Sequence, residues 1–231
     1  LAEIVRGSRL RKFFSKKVVD RILTADEDVS VVNERKRVTV LFSDLKGFTR
    51  FSDTTDPGVV TGMLNAYLTE MVALIEDHGG TLDKFMGDGI MALFGAADQM
   101  PPEEQARQAV QCAAAMQHVF RRLRRQWAAA NLPASLDLRV GVNQAEVMVG
   151  NFGSEDLVEY TAIGQGVNLA ARLEGACTPG QALVSFPVYA LTKAAFPYAG
   201  EKAYQLKGIE RAVPAYTLQT HKMDETTRPQ P

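Results

Sequence analysis

Two aspartates occupy positions from which paired carboxylates can do chemistry. Asp44 closes the apolar, β-branched run VTVLFSD, and Asp88 lies at the tip of the segment Met86-Gly87-Asp88-Gly89 between two short apolar runs. Carboxylates brought together at one edge of a fold suit divalent cations that prefer oxygen, such as Mg²⁺ or Mn²⁺. Two such ions can activate an attacking oxygen and stabilise a leaving phosphate oxygen in one displacement. Aspartate is also common in turns, so the pair alone leaves that plainer interpretation open.

The elements that would position these aspartates follow from hydrophobic periodicity and turn signals. An N-cap aspartate with proline in the first turn marks one helix start, and a pair of prolines marks another. The pattern predicts, in order, a strand over Val38–Asp44, a helix from Asp56-Pro57 to Gly79-Gly80, strands over Thr81–Phe85 and Ile90–Phe94, a helix from Pro101-Pro102 to about Ala130, and strands over Leu136–Val142 and Glu146–Gly150 around Asn143-Gln144.

The order strand, helix, strand, strand, helix, strand is that of the ferredoxin-like fold, an α+β architecture. In it the first two strands are parallel and the third inserts between them in the antiparallel direction. The end of the first strand and the tip of the hairpin then share one sheet edge, so Asp44 and Asp88 are expected to converge within a few ångströms. Further elements are predicted at the C-terminal end: strands over Glu159–Ile163, Ala182–Ser185, Tyr198–Leu206 and Ala212–Leu218, and helices over Gly166–Ala176 and near Val188–Ala195.

Composition narrows the class of protein. The 231 residues include 26 Lys and Arg against 27 Asp and Glu, a net charge of −1, with 46% hydrophobic residues. This balance argues against a nucleic-acid partner bound through a broad basic field, and the apolar fraction excludes a disordered or collagen-like chain. Cys112 and Cys177 and three scattered histidines supply neither a disulfide framework nor a zinc site, which favours a reducing, cytoplasmic setting.

The first residues differ from the rest of the chain. The sequence begins with leucine, and its opening stretch to Leu23 contains seven Lys or Arg residues against one Glu and one Asp. We therefore expect an upstream region to be missing. A juxtamembrane segment and a solvated helix or linker both fit this basic stretch, so membrane contact is expected only through that N-terminal region, and anchoring of the full-length protein in the inner membrane stays open.

Four segments together resemble the class III nucleotidyl cyclase catalytic domain over roughly residues 37–218, and are most similar to bacterial class IIIb adenylate cyclases. The segments are LFSDLKGFT at 41–49, DKFMGDG at 83–89, YTAIGQGVNLAARLE at 160–174 and LKG at 206–208. Each alone is weak, but all four occur in order on elements that the fold requires. The resemblance implies residues 1–36 as a coupling helix or linker and 37–218 as the catalytic domain. The polar, proline-containing residues 219–231 are predicted to form a disordered tail.

The resemblance implies a role for each matching residue. Asp44 and Asp88 would hold two Mg²⁺ or Mn²⁺ ions, together with the backbone carbonyl of Leu45. The backbone N–H groups that follow would bind the β- and γ-phosphates of a nucleotide. Those residues are Gly47, Phe48 and Thr49.

Three further residues are implied at the reacting phosphate. Asn168 and Arg172 are neighbours at i and i+4 on one helix face, where Asn168 would orient the ribose and Arg172 would neutralise the charge that develops at the α-phosphate. Lys207 would bind the phosphates as a point charge.

Base choice falls to Lys84 and Thr161. Lysine only donates hydrogen bonds, so it suits adenine N1, an acceptor, and fails guanine N1, a donor. Thr161 can accept from the adenine N6 amine, although its hydroxyl can also donate. Guanylate cyclases of the family typically have Glu and Cys at these positions, and neither is present here.

The expected function is therefore conversion of ATP to 3′,5′-cyclic AMP and pyrophosphate. The resemblance places Asp44 and Asp88 on one protomer and the base, ribose and transition-state residues on the other, so a homodimer would form two shared sites. Two alternatives stay open: a guanylate cyclase, and a non-catalytic nucleotide-binding or dimerisation module. Two positions depart from the family pattern: Ala145 stands in place of a turn glycine, and Gln165-Gly166 replaces the commoner Asp-Thr.

Overall fold

A computed structural model describes residues 33–132, 135–154, 158–221 and 223. This part of the chain contains both strands and helices. In order they are β1 (Glu34–Lys46), α1 (Phe48–Thr54), α2 (Pro57–Asp77), β2 (Thr81–Met86), β3 (Gly89–Phe94), α3 (Pro102–Ala129), β4 (Asp137–Gly153), β5 (Val158–Ile163), α4 (Gln165–Ala176), β6 (Ala182–Ser185), α5 (Phe186–Thr192), β7 (Lys202–Tyr204) and β8 (Val213–Leu218).

The sheet confirms the predicted topology. Its strand order is β2-β3-β1-β4-β6-β8-β7, with β5 paired to β4. Strand β3 is antiparallel to both β1 and β2, so β1 and β2 are parallel with β3 between them. The pairing of Ser43 with Ile90 brings the end of β1 beside the start of β3 and the hairpin tip. This register places the two aspartates at one edge.

Helices α2 and α3 cover one face of the sheet and share its largest core. The side chain of Asp56 accepts hydrogen bonds from the backbone N–H groups of Gly58 and Val59, which fixes the start of α2. The helix then buries Met63, Tyr67, Met71 and Ile75, four residues at i+4 spacing, against the sheet. The core of this layer also contains buried side chains of α3 and of the central strands.

Helix α2 is also long and apolar enough to cross a membrane by length and composition, within the part of the chain that the structure describes. The helix has 21 residues and a mean hydropathy of 1.4 over its most apolar window. Buried helices of globular domains meet the same criteria. In this structure 22% of the apolar window is buried, and Tyr67, Met71 and Ile75 place one face of the helix in the core.

The prediction of two strands around Asn143-Gln144 is wrong. Residues Asp137–Gly153 form one continuous strand of 17 residues, and Asn143 and Gln144 pair with Val40 and Thr39 of β1. Both amide side chains are buried and find partners: Asn143 donates to the carbonyl of Gly166, and Gln144 donates to Thr39 Oγ1 at 2.9 Å. Because these distant groups satisfy the amides inside the fold, the local turn preference of asparagine does not interrupt the strand.

Other predicted bounds shift by a few residues. Strand β1 begins at Glu34 rather than Val38, α5 runs from Phe186, and the predicted strand over Tyr198–Leu206 shortens to β7. The predicted coupling segment up to residue 32 and the tail from residue 224 lie outside the described residues.

Helix α4 packs directly on β4, and this contact explains the two departures from the family pattern. Ala145 lies within β4, not in a turn, opposite Val38 of β1. A Cβ atom added to Gly166 would come within 2.3 Å of the Ala145 Cβ atom. The methyl group present at 145 therefore occupies the space that a larger residue at 166 would need, so the two departures compensate each other.

We expect Gly166→Ala to destabilise the domain by about 1–3 kcal/mol, because the new methyl group overlaps Ala145. Alanine is normally the better helix residue, by about 1 kcal/mol over glycine, so a loss of stability would isolate the clash. Adding Ala145→Gly should recover most of the loss. Urea unfolding of the wild type, both single variants and the double variant measures the coupling; strictly additive changes would contradict the contact.

Candidate active site

The two predicted metal ligands meet at the sheet edge. Asp44 ends β1, Asp88 lies in the turn between β2 and β3, and the backbone N–H of Leu45 donates to Asp88 Oδ2 at 3.0 Å. Burial, and then the negative charge of Asp44, raises the pKa of Asp88 to about 6. The convergence that the topology predicts is therefore present in a single chain. The proposed ligation by the Leu45 carbonyl stays a prediction.

Two charged residues that the sequence analysis did not single out complete this edge. Arg139 of β4 faces Asp44 across the β1–β4 pairing, with its Nη2 atom 2.6 Å from Asp44 Oδ2 and 2.9 Å from Glu174 Oε1. Burial raises the pKa of Glu174 to about 7, despite the opposing charge of Arg139. In the sequence, Arg139 is a charged residue within the otherwise apolar run of β4, and this was the signal that could have identified it as a site residue.

The donor set fits a divalent cation that also binds substrate. Among the described residues, no group of three or more His, Cys, Asp or Glu side chains is arranged to hold a metal by itself. Mg²⁺ is commonly bound by one or two carboxylates, with water and substrate phosphates completing the shell. Asp44 and Asp88 match that pattern, and a cation between them would relieve the repulsion that raises the pKa of Asp88.

These raised pKa values predict how stability depends on pH. Asp83, Asp88 and Glu174 hold a proton more tightly in the folded than in the unfolded chain, with folded pKa values of about 6, 6 and 7. Their contribution to stability is complete below the unfolded values and is lost as pH rises through the folded ones. The melting temperature of the metal-free protein should therefore fall between about pH 4 and pH 7. Mg²⁺ should stabilise the protein more at the higher pH, where protons no longer compete for the carboxylates.

The control for this prediction is Asp88→Asn, which keeps the shape of the side chain and removes its titration. Its melting temperature should change less with pH, and Mg²⁺ should stabilise it less. Equal pH profiles for the variant and the wild type, measured by differential scanning fluorimetry, would contradict the assignment.

Lys84 and Thr161, the predicted base-reading pair, also lie together. Thr161 Oγ1 donates to Asp83 Oδ2 at 2.8 Å, and Lys84 Nζ lies 3.7 Å from the same oxygen while it also pairs with Glu159. Burial lowers the pKa of Lys84, but the hydrogen bond and charge of Glu159 and the charge of Asp83 outweigh this and leave the pKa raised. Lys84 is therefore a cation and only a donor.

The predicted phosphate and transition-state residues lie on α1, α4 and the turn before β8. Gly47, with φ of 94°, makes the turn from β1 into α1, where Phe48 and Thr49 are the first residues. Helix α4 carries Asn168 and Arg172. A Cβ atom added to Gly208 would lie 3.4 Å from Arg172 Nη2, so the Lys207-Gly208 turn adjoins the guanidinium group. The contacts of these residues with a nucleotide stay predictions.

Residues 31–220 match the family model described as the adenylate and guanylate cyclase catalytic domain. The chain belongs to this family. Membership of the cyclase family implies nucleotide binding, use of divalent metal ions and action as a dimer. It confirms the α+β cyclase fold expected from the sequence.

Relatives and solved structures of this cyclase family include both base specificities. Adenylate cyclase 1 of Rhizobium meliloti is 32% identical over 141 residues, which are 61% of this chain and 21% of that protein. The adenylyl cyclase CyaB from P. aeruginosa is 38% identical with a TM-score of 0.78, over 80% of this chain and 95% of that one. The guanylyl cyclase Cya2 is 36% identical with a TM-score of 0.75, over 80% and 93%.

The chain spans less than a third of the length of the adenylate cyclases from Dictyostelium discoideum, Rhizobium meliloti and Anabaena cylindrica that it matches. Because the sequence identities to an adenylyl and a guanylyl cyclase are similar, overall similarity does not determine whether this domain recognises adenine or guanine. That decision depends on the residues that face the base.

Proposed function

We propose that this domain is an adenylate cyclase that converts ATP to 3′,5′-cyclic AMP and pyrophosphate. The observation that supports it most directly is the shared contact of Lys84 and Thr161 with the carboxylate of Asp83. This contact places a fixed donor beside a hydroxyl group. Adenine presents an acceptor at N1 and a donor at N6 in adjacent positions, so a donor beside an acceptor is the arrangement that matches it.

The sheet edge supplies the second half of the chemistry. Divalent ions bound by Asp44 and Asp88 would favour ionisation of the ribose 3′-hydroxyl and stabilise charge on the departing pyrophosphate. Gly47, Phe48 and Thr49 would hold the β- and γ-phosphates through backbone N–H groups, and Lys207 would add a positive charge there. We take two ions per site as the expected number.

The residues of α4 would act on the reacting phosphate. Arg172 would stabilise the charge that develops on the α-phosphate in the transition state, and Asn168 would orient the ribose so that its 3′-oxygen lies in line for attack. The adjacent Lys207-Gly208 turn keeps space beside the Arg172 guanidinium, because Gly208 has φ of 72° and no side chain.

Each complete site would need two protomers. In the described chain, Asp44 and Asp88 belong to one cluster with Arg139 and Glu174, whereas Lys84 and Thr161 belong to another with Asp83 and Glu159. A two-fold symmetric homodimer would bring the first cluster of one protomer to the second cluster of its partner twice, and a monomer would be inactive.

The test is product formation by purified protein with ATP and either Mg²⁺ or Mn²⁺, resolved by chromatography. We expect cyclic AMP from the wild type and none from Asp88→Asn, and a much lower rate of cyclic GMP formation from GTP. No product with either metal at high protein concentration would refute the enzyme assignment. The likeness to Cya2 makes a guanylate cyclase the second candidate, and preferential formation of cyclic GMP would establish it.

A further inference from the structure

Asp83 is a buried carboxylate that has no role in the proposed metal site or in the proposed reaction. Its side chain is 0% exposed, although it lies on β2 directly before Lys84. Its Oδ2 atom accepts the Thr161 hydroxyl at 2.8 Å, whereas Oδ1 is buried with no hydrogen-bond partner. A buried carboxylate with one unpartnered oxygen is costly, so a structural role alone is a poor explanation for its presence.

The hydrogen bond to Asp83 decides what Thr161 can offer a ligand. A hydroxyl group has one proton and two lone pairs, and an ionised carboxylate can only accept. When Thr161 gives its proton to Asp83, only lone pairs remain to face the base. A threonine that could otherwise donate or accept then acts as an acceptor.

Lys84 is held by the same carboxylate. Its ammonium group lies between Asp83 and Glu159, with side-chain exposures of 33%, 0% and 64% for the three residues. Two acidic neighbours keep the ammonium protonated, so the position cannot act as an acceptor. One buried carboxylate therefore contacts both residues that would read the edge of the base.

We propose that Asp83 is a positioning residue for base specificity, which sets Thr161 as an acceptor beside Lys84 as a donor and so selects adenine over guanine. This inference rests on the proposed function. With guanine, O6 would face the lone pairs of Thr161 and the N1 proton would face Lys84. Buried polar groups left unpaired in this way cost about 1–3 kcal/mol each.

The principal variant is Asp83→Ala, which removes the acceptor and leaves the Thr161 hydroxyl free to turn toward guanine O6. We expect the ratio of kcat/KM for ATP to that for GTP to fall by roughly 10- to 100-fold, mostly through a gain with GTP. Thr161→Val, which removes the hydroxyl with little change of shape, should lower the ratio to a similar extent. The Asp83→Ala/Thr161→Val double variant should be no less selective than either single variant, because each substitution removes the same Thr161–Asp83 hydrogen bond.

Asp77→Ala serves as a matched control, because Asp77 is exposed at the end of α2, and its ratio should equal that of the wild type. A purely structural role for Asp83 would lower kcat/KM for ATP and GTP by the same factor and leave the ratio unchanged, and that result would overturn the proposal. So would a double variant whose loss equals the product of the single losses.

The same variants separate this inference from the proposed function. If the wild type forms no cyclic nucleotide, the proposed activity fails, and competition of ATP and GTP for a bound fluorescent nucleotide still reports base preference. The wild type should then bind ATP in preference to GTP, and Asp83→Ala and Thr161→Val should each lose that preference. Unchanged relative affinities in both variants would refute the role of Asp83 on their own.

Discussion

A one-to-one mixture of Asp44→Ala and Arg172→Ala chains is expected to recover about a quarter of the wild-type cyclase activity, although each variant alone should lose roughly 100-fold or more. Random pairing makes half of the dimers mixed. Each mixed dimer has one site with both residues intact and one site that lacks both. Because half of the dimers each have one of their two sites intact, a quarter of all sites are active.

The expectation follows from the proposed division of each site between two protomers. Asp44 lies with Asp88 and Arg139 at the sheet edge, and its removal leaves Arg139 paired with Glu174. Arg172 lies on α4, and its guanidinium group adjoins the turn at Gly208. Each substitution therefore removes one half of the proposed site and leaves the other half in place.

Two mixtures serve as controls for this experiment. Asp44→Ala with Asp88→Ala, and Asn168→Ala with Arg172→Ala, combine defects of the same half, so neither mixture should recover activity. Chains with different affinity tags establish how many mixed dimers form. Mixed dimers that are present and inactive in the Asp44→Ala and Arg172→Ala experiment would place the whole site within one chain.

The convergence of Asp44 and Asp88 could be predicted because it depends on topology alone. Hydrophobic period and turn signals fix the order of elements, and the right-handed crossover then places β3 between β1 and β2. Any chain with that order brings the end of β1 to the tip of the β2–β3 hairpin. No knowledge of side-chain packing is needed for this step.

The continuous strand β4 could not be predicted in the same way. Asn143 favours a turn in short-range statistics, but the amides of Asn143 and Gln144 donate hydrogen bonds to Gly166 and Thr39, which are 23 and 105 positions away in the chain. The partners exist only after α4 and β1 are packed. Local preference yields to long-range hydrogen bonding here, as it does at many buried polar residues.

The sequence analysis did not identify Arg139, Glu174 and Asp83 as site residues. Their contacts depend on the register of the sheet strands and on which face of helix α4 packs against the sheet. The pairing of Asp44 with Arg139 depends on how β1 aligns with β4, and a shift of one residue would turn Arg139 to the opposite face. Asp83 lies within the segment DKFMGDG, yet its burial beside Thr161 depends on the relative placement of β2 and β5. Sequence spacing alone does not provide these facing relations.

Lys84→Glu is expected to lower activity with ATP by roughly 10²- to 10⁵-fold, because a glutamate turns acceptor oxygens toward adenine N1, which is itself an acceptor. The same glutamate can accept from the N1 proton of guanine, so GTP should lose much less. Initial rates with each nucleotide, at matched metal concentration, measure both effects. Unchanged activity with ATP would refute the assignment of Lys84 as a base-reading residue.

The structure adds a control that separates base reading from local charge. A glutamate at position 84 would stand beside Asp83 and Glu159, so repulsion among three carboxylates could disturb the β2–β5 region without any effect on recognition. Adding Glu159→Lys restores the cation beside Asp83 while position 84 still lacks a donor. We expect this double variant to regain the melting temperature of the wild type but not its activity with ATP; recovery of that activity would mean that charge, and not the donor at position 84, sets the preference for adenine.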